Sequence, residues 1–152
     1  MATSNLMIMN GITATINTAA TAGMTPAVES PLSEGIENIA EALNETVQQY
    51  FFMDGKGYAA NYVTGMAPAL TLTGKRVVGD AAQDWIFSKK YKLMKERETT
   101  LTITKASATG TEKVTCPIAV CNVQEISGNA NEPASISFEL RFNGAPTVTA
   151  AE

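Results

Sequence analysis

The sequence predicts a mainly β sandwich or barrel with one flanking α-helix. Three observations predict it. Apolar and polar residues alternate strictly over 70–73, 101–104 and 136–142, the period of a half-buried strand. A single segment, about residues 80–91, joins a good N-cap to helical spacing. Gly, Asn, Asp and Pro clusters separate the alternating runs, as turns do in all-β domains. The length of 152 residues suits one domain. We divide it into an N-terminal arm (1–31), a β-sandwich core (32–146) and a C-terminal tail (147–152).

Residues 1–31 carry one charge, Glu29. Residues 6–10 and 12–17 read as short strands about an Asn10-Gly11 turn. Composition would also allow a flexible arm. Disordered segments, however, favour charge and Pro, so the segment reads as an arm that pairs, with a neighbouring chain among the candidates. Residues 33–50 pose a conflict. Ile36, Ile39, Ala40 and Leu43 recur at helical spacing among good helix formers, and this pattern favours a helix. Asn44 interrupts it, and the run that follows reads as a strand.

The centre is rich in turns. Asp54-Gly55-Lys56-Gly57 follows an apolar run ending at Met53, and Thr64-Gly65 follows Tyr62-Val63. The span before the 70–73 strand is long for a hairpin loop, and such loops are usually functional. Tyr58 and Tyr62 offer contact surface there. Asp80 after Gly79 caps the helix. Lys89, Lys90 and Lys92 suit its negative C-terminus. Its stripe of Ala81, Trp85, Ile86 and Lys89, extended by Ala82 and Lys90, should pack on a sheet. Beyond it, 114–126 reads as a long strand in which Pro117 marks an edge or a bulge. Residues 127–131 form a loop, and Asn143-Gly144-Ala145-Pro146 stops the strand over 136–142.

Composition excludes more than it selects. There is no histidine, which removes His-based triads, general bases and metal ligands. The net charge of −4 argues against tight binding to nucleic acid. Cys116 and Cys121 form no CxxC motif and read as reduced, buried thiols. The N-terminus does not resemble a signal peptide, and no run is long and apolar enough to span a membrane. Synthesis in a reducing cytoplasm is the expectation. Glu96 and Glu98 flank Arg97 with no nucleophile nearby in sequence, so they read as solvated charges. Asp80 and Asp84 offer too few oxygens for a metal. Asp54-Gly55-Lys56-Gly57 lacks P-loop spacing and reads as a turn. No enzyme activity, cofactor or metal is expected.

Charge placement says more. Residues 29–54 contain Glu29, Glu34, Glu37, Glu41, Glu45 and Asp54 with no Lys or Arg. Residues 75–97 contain Lys75, Arg76, Lys89, Lys90, Lys92, Lys95 and Arg97 against Asp80, Asp84 and Glu96. Such segments suit either head-to-tail contact between identical subunits or balancing within one chain.

Five pieces, taken in order, resemble one family. They are Glu34-Gly35-Ile36 with Leu43-Asn44-Glu45, the run 50–58 (YFFMDGKGY), Val63-Thr64-Gly65, the run 70–86 (LTLTGKRVVGDAAQDWI) and the run 136–146 (ISFELRFNGAP). Together they resemble the major tail (tail tube) proteins of long-tailed bacteriophages and related phage-tail-like particles. The resemblance implies a tail-tube-type β-sandwich whose copies form hexameric rings, with inner strands joined into one barrel and rings stacked into a tube. It implies that 34–39 and 46–53 are extended, against the helical pattern. It implies that the long loop, with Asp54, Gly55, Lys56, Gly57, Tyr58 and Tyr62, reaches the adjacent ring, and that both terminal arms bridge subunits. The implied role is a conduit for DNA ejection in a virion tail, made in the cytoplasm of a bacterial host. An alternative is the inner tube of a contractile tail, tailocin or other injection particle. Implied partners are the chain itself, a tape measure protein and genomic DNA in the lumen without sequence-specific binding, and tail tip, baseplate and terminator proteins, with no membrane. An acidic lining would let DNA slide, with Glu37, Glu41, Glu45 and Gln48 as lumen candidates. Lys75, Arg76, Lys89, Lys90 and Lys92 are the candidates for charge contacts between subunits.

Overall fold

Alternation along the chain builds one large antiparallel sheet. The computed structural model describes residues 6–18, 28–108 and 110–151. Its strands are β1 (Thr13–Asn17), β2 (Glu29–Pro31), β3 (Ile36–Ala42), β4 (Thr46–Phe51), β5 (Ala59–Gly65), β6 (Ala69–Lys75), β7 (Glu98–Ser107), β8 (Gly110–Gln124), β9 (Ser135–Phe142) and β10 (Thr147–Ala151). The helix α1 spans Ala81–Ser88. The strand order is β2-β1-β7-β8-β9-β6-β3, with β10 paired to β8. β4 and β5 form a separate two-stranded ribbon.

The 15-residue β8 serves both halves of the sheet. Along one edge it pairs with β7 as far as Ala119. Along the other it pairs first with β10 and then with β9. Pro117 sits at the junction between those two partners, where its carbonyl accepts from Asn143 N at 2.8 Å. N–H and C=O of one residue point to the same side of an antiparallel strand. The missing donor therefore faces the junction and leaves the β7 ladder intact. The bulge lies further on, between Cys121 and Gln124, where Asn122 adopts φ 51°. Cys116 is buried and Cys121 half-buried, and both are free thiols. Burial pushes the Cys116 thiol pKa up.

One core fills the fold. Ile16, Leu72, Leu101, Ile118, Val120, Phe138 and Leu140 are its most enclosed sheet residues, and α1 adds Ala82, Ile86 and Phe87. Phe87 meets Phe138 edge-on at 6.2 Å.

Several expectations need correction. Residues 33–50 are not helical. Ile36 and Ile39 face the core from β3, and a bulge between Ile36 and Asn38 reconciles their three-residue spacing with a strand. The strand reading implied by the resemblance describes β3 and β4. Residues 6–8 are not a strand, and Asn10-Gly11 belongs to a single 3-10 turn rather than a hairpin. Within the proposed arm, β1 pairs with β7 and β2 of its own chain. Within the tail, β10 pairs with β8. The long span before β6 is mostly the β4–β5 ribbon rather than loop. In α1, Ala81 is exposed and the buried face is Ala82, Gln83, Ile86 and Phe87. Trp85 packs only at the core's edge. Gln83 sets this register, because its amide binds the backbone on both sides of the β3–β6 ladder end. Residues 1–5, 19–27, 109 and 152 lie outside the described residues.

Candidate assembly surface

The β3–β6 ladder organises the surface. Seven-residue strands span roughly 20 Å. At one end of the ladder, Ala67 N donates to Leu43 O at 2.9 Å and Asn44 Nδ2 to Ala67 O at 2.9 Å. The chain continues there directly into the β4–β5 hairpin. At the other end sit Gly35, Lys75, Ser135 and α1. Lys75 N donates to Gly35 O, and Arg76 N to Ala134 O. The hairpin and the helix therefore lie at opposite ends.

The enclosed polar groups of the helix end are satisfied by its own residues. Gln83 is fully buried. Its Nε2 donates to Glu34 O at 2.8 Å and to Lys75 O at 3.2 Å, and its Oε1 accepts from Val77 N at 2.8 Å. A Cβ on Gly74 would lie 2.0 Å from Gly35 O, so the close strand approach beneath this amide requires glycine. Asp80 caps α1 by accepting from Gln83 N. Arg76 pairs with Asp84 at 2.9 Å and Glu125 at 2.7 Å, and Lys90 pairs with Glu125 at 2.6 Å. The hydrogen bonds from Lys90 and Arg76 hold the Glu125 carboxyl below the usual carboxylate range. Arg76 does the same to Asp84, and Glu125 raises the Lys90 ammonium.

The hairpin end is the reverse. On one face of the ribbon, Tyr50 lies 5.9 Å from Phe52 and 6.0 Å from Tyr62. The other face carries Val47, Val63 and Phe51, with Gln49 bonded to Asn61. Both faces are open: Phe51 is 68% exposed, Tyr58 81% and Met53 fully. The tip is a 3-10 turn, Met53–Gly55, followed by Lys56 at φ 52°. All six residues expected in a long loop, from Asp54 to Tyr62, lie on this hairpin.

The acidic candidates do not share a face. Glu37 sits at the β3 bulge and Glu45 in the β3–β4 connection. Gln48 lies opposite Tyr62 on the ribbon. Glu41 shares the inner face of β3 with Ile39 and, with Lys105, lines an apolar cavity of about 250 Å³. The cause is strand parity, which sends alternate residues to opposite faces. The outward face of β3, β6, β9 and β8 presents other residues, row by row: Ala42, Ala69, Arg141 and Ala119, then Ala40, Thr71, Glu139 and Cys121, then Asn38, Thr73 and Ser137. It is small and polar. Its one guanidinium, Arg141, pairs with its one carboxylate, Glu139, at 2.9 Å.

Of the five basic candidates, Arg76 and Lys90 are committed within the chain. Lys75 donates to Ser135 at 2.9 Å, and Lys89 stacks over Trp85 at 5.5 Å. Lys92 is exposed. Sequence reasoning missed Gln83, Glu125, Glu139 and Arg141 as organising residues. The strict alternation over 136–142 already placed the last two on the face opposite Phe138. Nothing local marked Glu125.

Two sheet edges stay open among the described residues. β3 pairs only with β6. Beyond Ala119, β8 has no strand on its β7 side; Arg97 Nη1 alone donates to Val120 O there. The opposite border of the sheet, β2, is three residues long and ends in Pro31.

The sequence matches no protein-family model and no curated protein. Solved structures are more informative. The chain is similar to the SPP1 tail tube subunit with a TM-score of 0.68 at 13% identity, covering 96% of this chain and 80% of that one. It is similar to a chain of the tail of an empty gene transfer agent (GTA) particle refined with C6 symmetry, with a TM-score of 0.66 at 10% identity, covering 95% and 100%. A chain of the sheath-tube complex of an extracellular contractile injection system, PVC, aligns with a TM-score of 0.53 at 15% identity, covering 99% and 100%. The chain has the tail-tube fold. Within that fold, the β4–β5 hairpin is the element that stands away from the sandwich core. No helix of the described residues is long and apolar enough to cross a membrane.

Proposed function

We infer that this chain is a structural, non-enzymatic tube subunit that works only as a polymer. The observation that carries the reading is the β4–β5 hairpin. An isolated two-stranded ribbon is marginal in water, and this one exposes aromatic residues on both faces. Cover from another copy would explain both features. The open edges of β3 and of the end of β8 support lateral joining, because unpaired edges are hazards unless another strand pairs them. The tail-tube fold supports six copies to a ring and rings stacked into a tube. In that arrangement the outward face of β3, β6, β9 and β8 lines the lumen. It replaces Glu37, Glu41, Glu45 and Gln48 as the candidate lining. Arg141 is neutralised by Glu139, and Lys75, the next outward residue at the end of β6, donates to Ser135, so the face offers DNA little free cationic charge to retain phosphate. The tube then serves as the conduit for DNA ejection, holding a tape measure protein and genomic DNA without sequence readout. Tail tip or baseplate proteins and a terminator cap its ends. The likeness to the PVC sheath-tube complex keeps the inner tube of a contractile particle as the second reading.

Negative-stain electron microscopy of the concentrated chain, with light scattering, tests this. Hollow tubes with even axial striations are the expected result. A chain that stays monomeric both alone and when seeded with tail tips would remove the reading.

A further inference from the structure

At the end of the β3–β6 ladder far from the hairpin, the same chain exposes a second apolar surface. Val78, Tyr91, Leu93, Met94 and Ile126 are between 75% and 85% exposed. Their segments are tied together. Glu125, next to Ile126, binds both Arg76 and Lys90. Arg97 closes the loop after α1 by donating from Nε to Lys92 O at 2.8 Å and from Nη2 to Lys90 O. Met94 is held at φ 57°, a region that non-glycine residues seldom occupy. A hydrogen-bonded frame thus presents large apolar side chains to water.

We propose that this surface, centred on Tyr91 and Met94, receives the β4–β5 hairpin of a second copy of this chain. The inference rests on the tube reading and names the site which that reading lacks. Three arguments fix the occupant. The hairpin extends the ladder at the end opposite the α1 surface, so it reaches that surface on a copy translated along the ladder and never its own. Both surfaces are apolar, with Phe52, Met53 and Tyr58 on one side and Tyr91, Leu93 and Met94 on the other. Charge is compatible: the hairpin tip carries Asp54 and Lys56, and the acceptor loop carries Lys92 and Lys95 beside Glu96, none of them in an ion pair within the chain among the described residues. A contact between two unlike surfaces does not close on two copies and propagates.

The test uses two full-length variants. One is donor-defective, Phe52→Asp with Met53→Asp. The other is acceptor-defective, Tyr91→Asp with Met94→Asp. All four positions are more than half exposed, so both variants keep the wild-type melting curve. Each alone stays at the mass of a single layer by light scattering. Mixed, they supply one intact donor and one intact acceptor, and the mass at least doubles. The assignment falls if the mixture stays at the single-layer mass, or if the acceptor-defective variant still forms tubes. Wild-type chain that never stacks, either alone or when seeded with tail tips, would take the tube reading down with it. Doubling of the mixture without wild-type tubes would keep the junction and discard the tube.

Discussion

The two ends of the β3–β6 ladder treat their polar and apolar groups in opposite ways. At the α1 end, Gln83 satisfies three backbone groups and Glu125 holds two cations, so the interior there is closed by its own residues. At the hairpin end, Tyr50, Phe51, Phe52 and Tyr62 touch little but each other and water. Buried polar groups are costly unless paired within the fold. Exposed apolar area is costly only until a partner covers it. The enclosed polar groups of the first end therefore govern stability, while the exposed apolar residues of the hairpin, with the acceptor surface proposed for them, govern association. The two functions can be changed separately.

The largest effect should come from the hairpin. Deleting residues 55–62 removes the tip and half of β5 and leaves most of β4 without its partner. Replacing residues 46–65 with an Asn-Gly turn is cleaner, because the Leu43–Ala67 bond already closes the base. We expect tube formation to be lost altogether, by electron microscopy, with the melting temperature nearly unchanged. An unfolded product would break the division between the two ends.

Next in size is Gln83→Ala. It strands Glu34 O, Lys75 O and Val77 N in or near the core, and should cost about 3 kcal/mol. A shift in the urea midpoint measures it. Assembly of the fraction that remains folded should be unaffected. A loss below about 1 kcal/mol would mean that water replaces the amide.

The smallest effect concerns pH. The Glu125 carboxyl is depressed by Lys90 and Arg76. Its contribution is therefore full above the unfolded value of about 4.3. It is lost as pH falls through the lower folded value. Glu125→Gln should cost about 1 kcal/mol at neutral pH, because the site is partly open to water. It should also flatten the acid limb of stability against pH. An unchanged acid limb would assign acid sensitivity to other carboxylates.

Much of the fold was legible in the sequence. Strict alternation marked the strands over 70–73, 101–104 and 136–142, and Asp80 after Gly79 marked the start of α1. The hairpin residues were visible as an apolar run before a turn. The segment 33–50 was ambiguous because a bulge at Glu37 imitates helical spacing. The lumen candidates were chosen without knowledge of register and fall on different faces, since a one-residue shift in a strand exchanges its faces.

By itself, the sequence determined the class of structure, the absence of histidine chemistry and the acidic balance. It also marked an aromatic, turn-bearing segment over 50–62, read as a long loop, because periodicity and composition are local properties. The tertiary structure alone decided which charges are already spent, which face of the sheet is polar, and that the hairpin and its proposed acceptor stand at opposite ends. Those depend on strand register and on contacts such as Arg76–Glu125, between residues far apart along the chain.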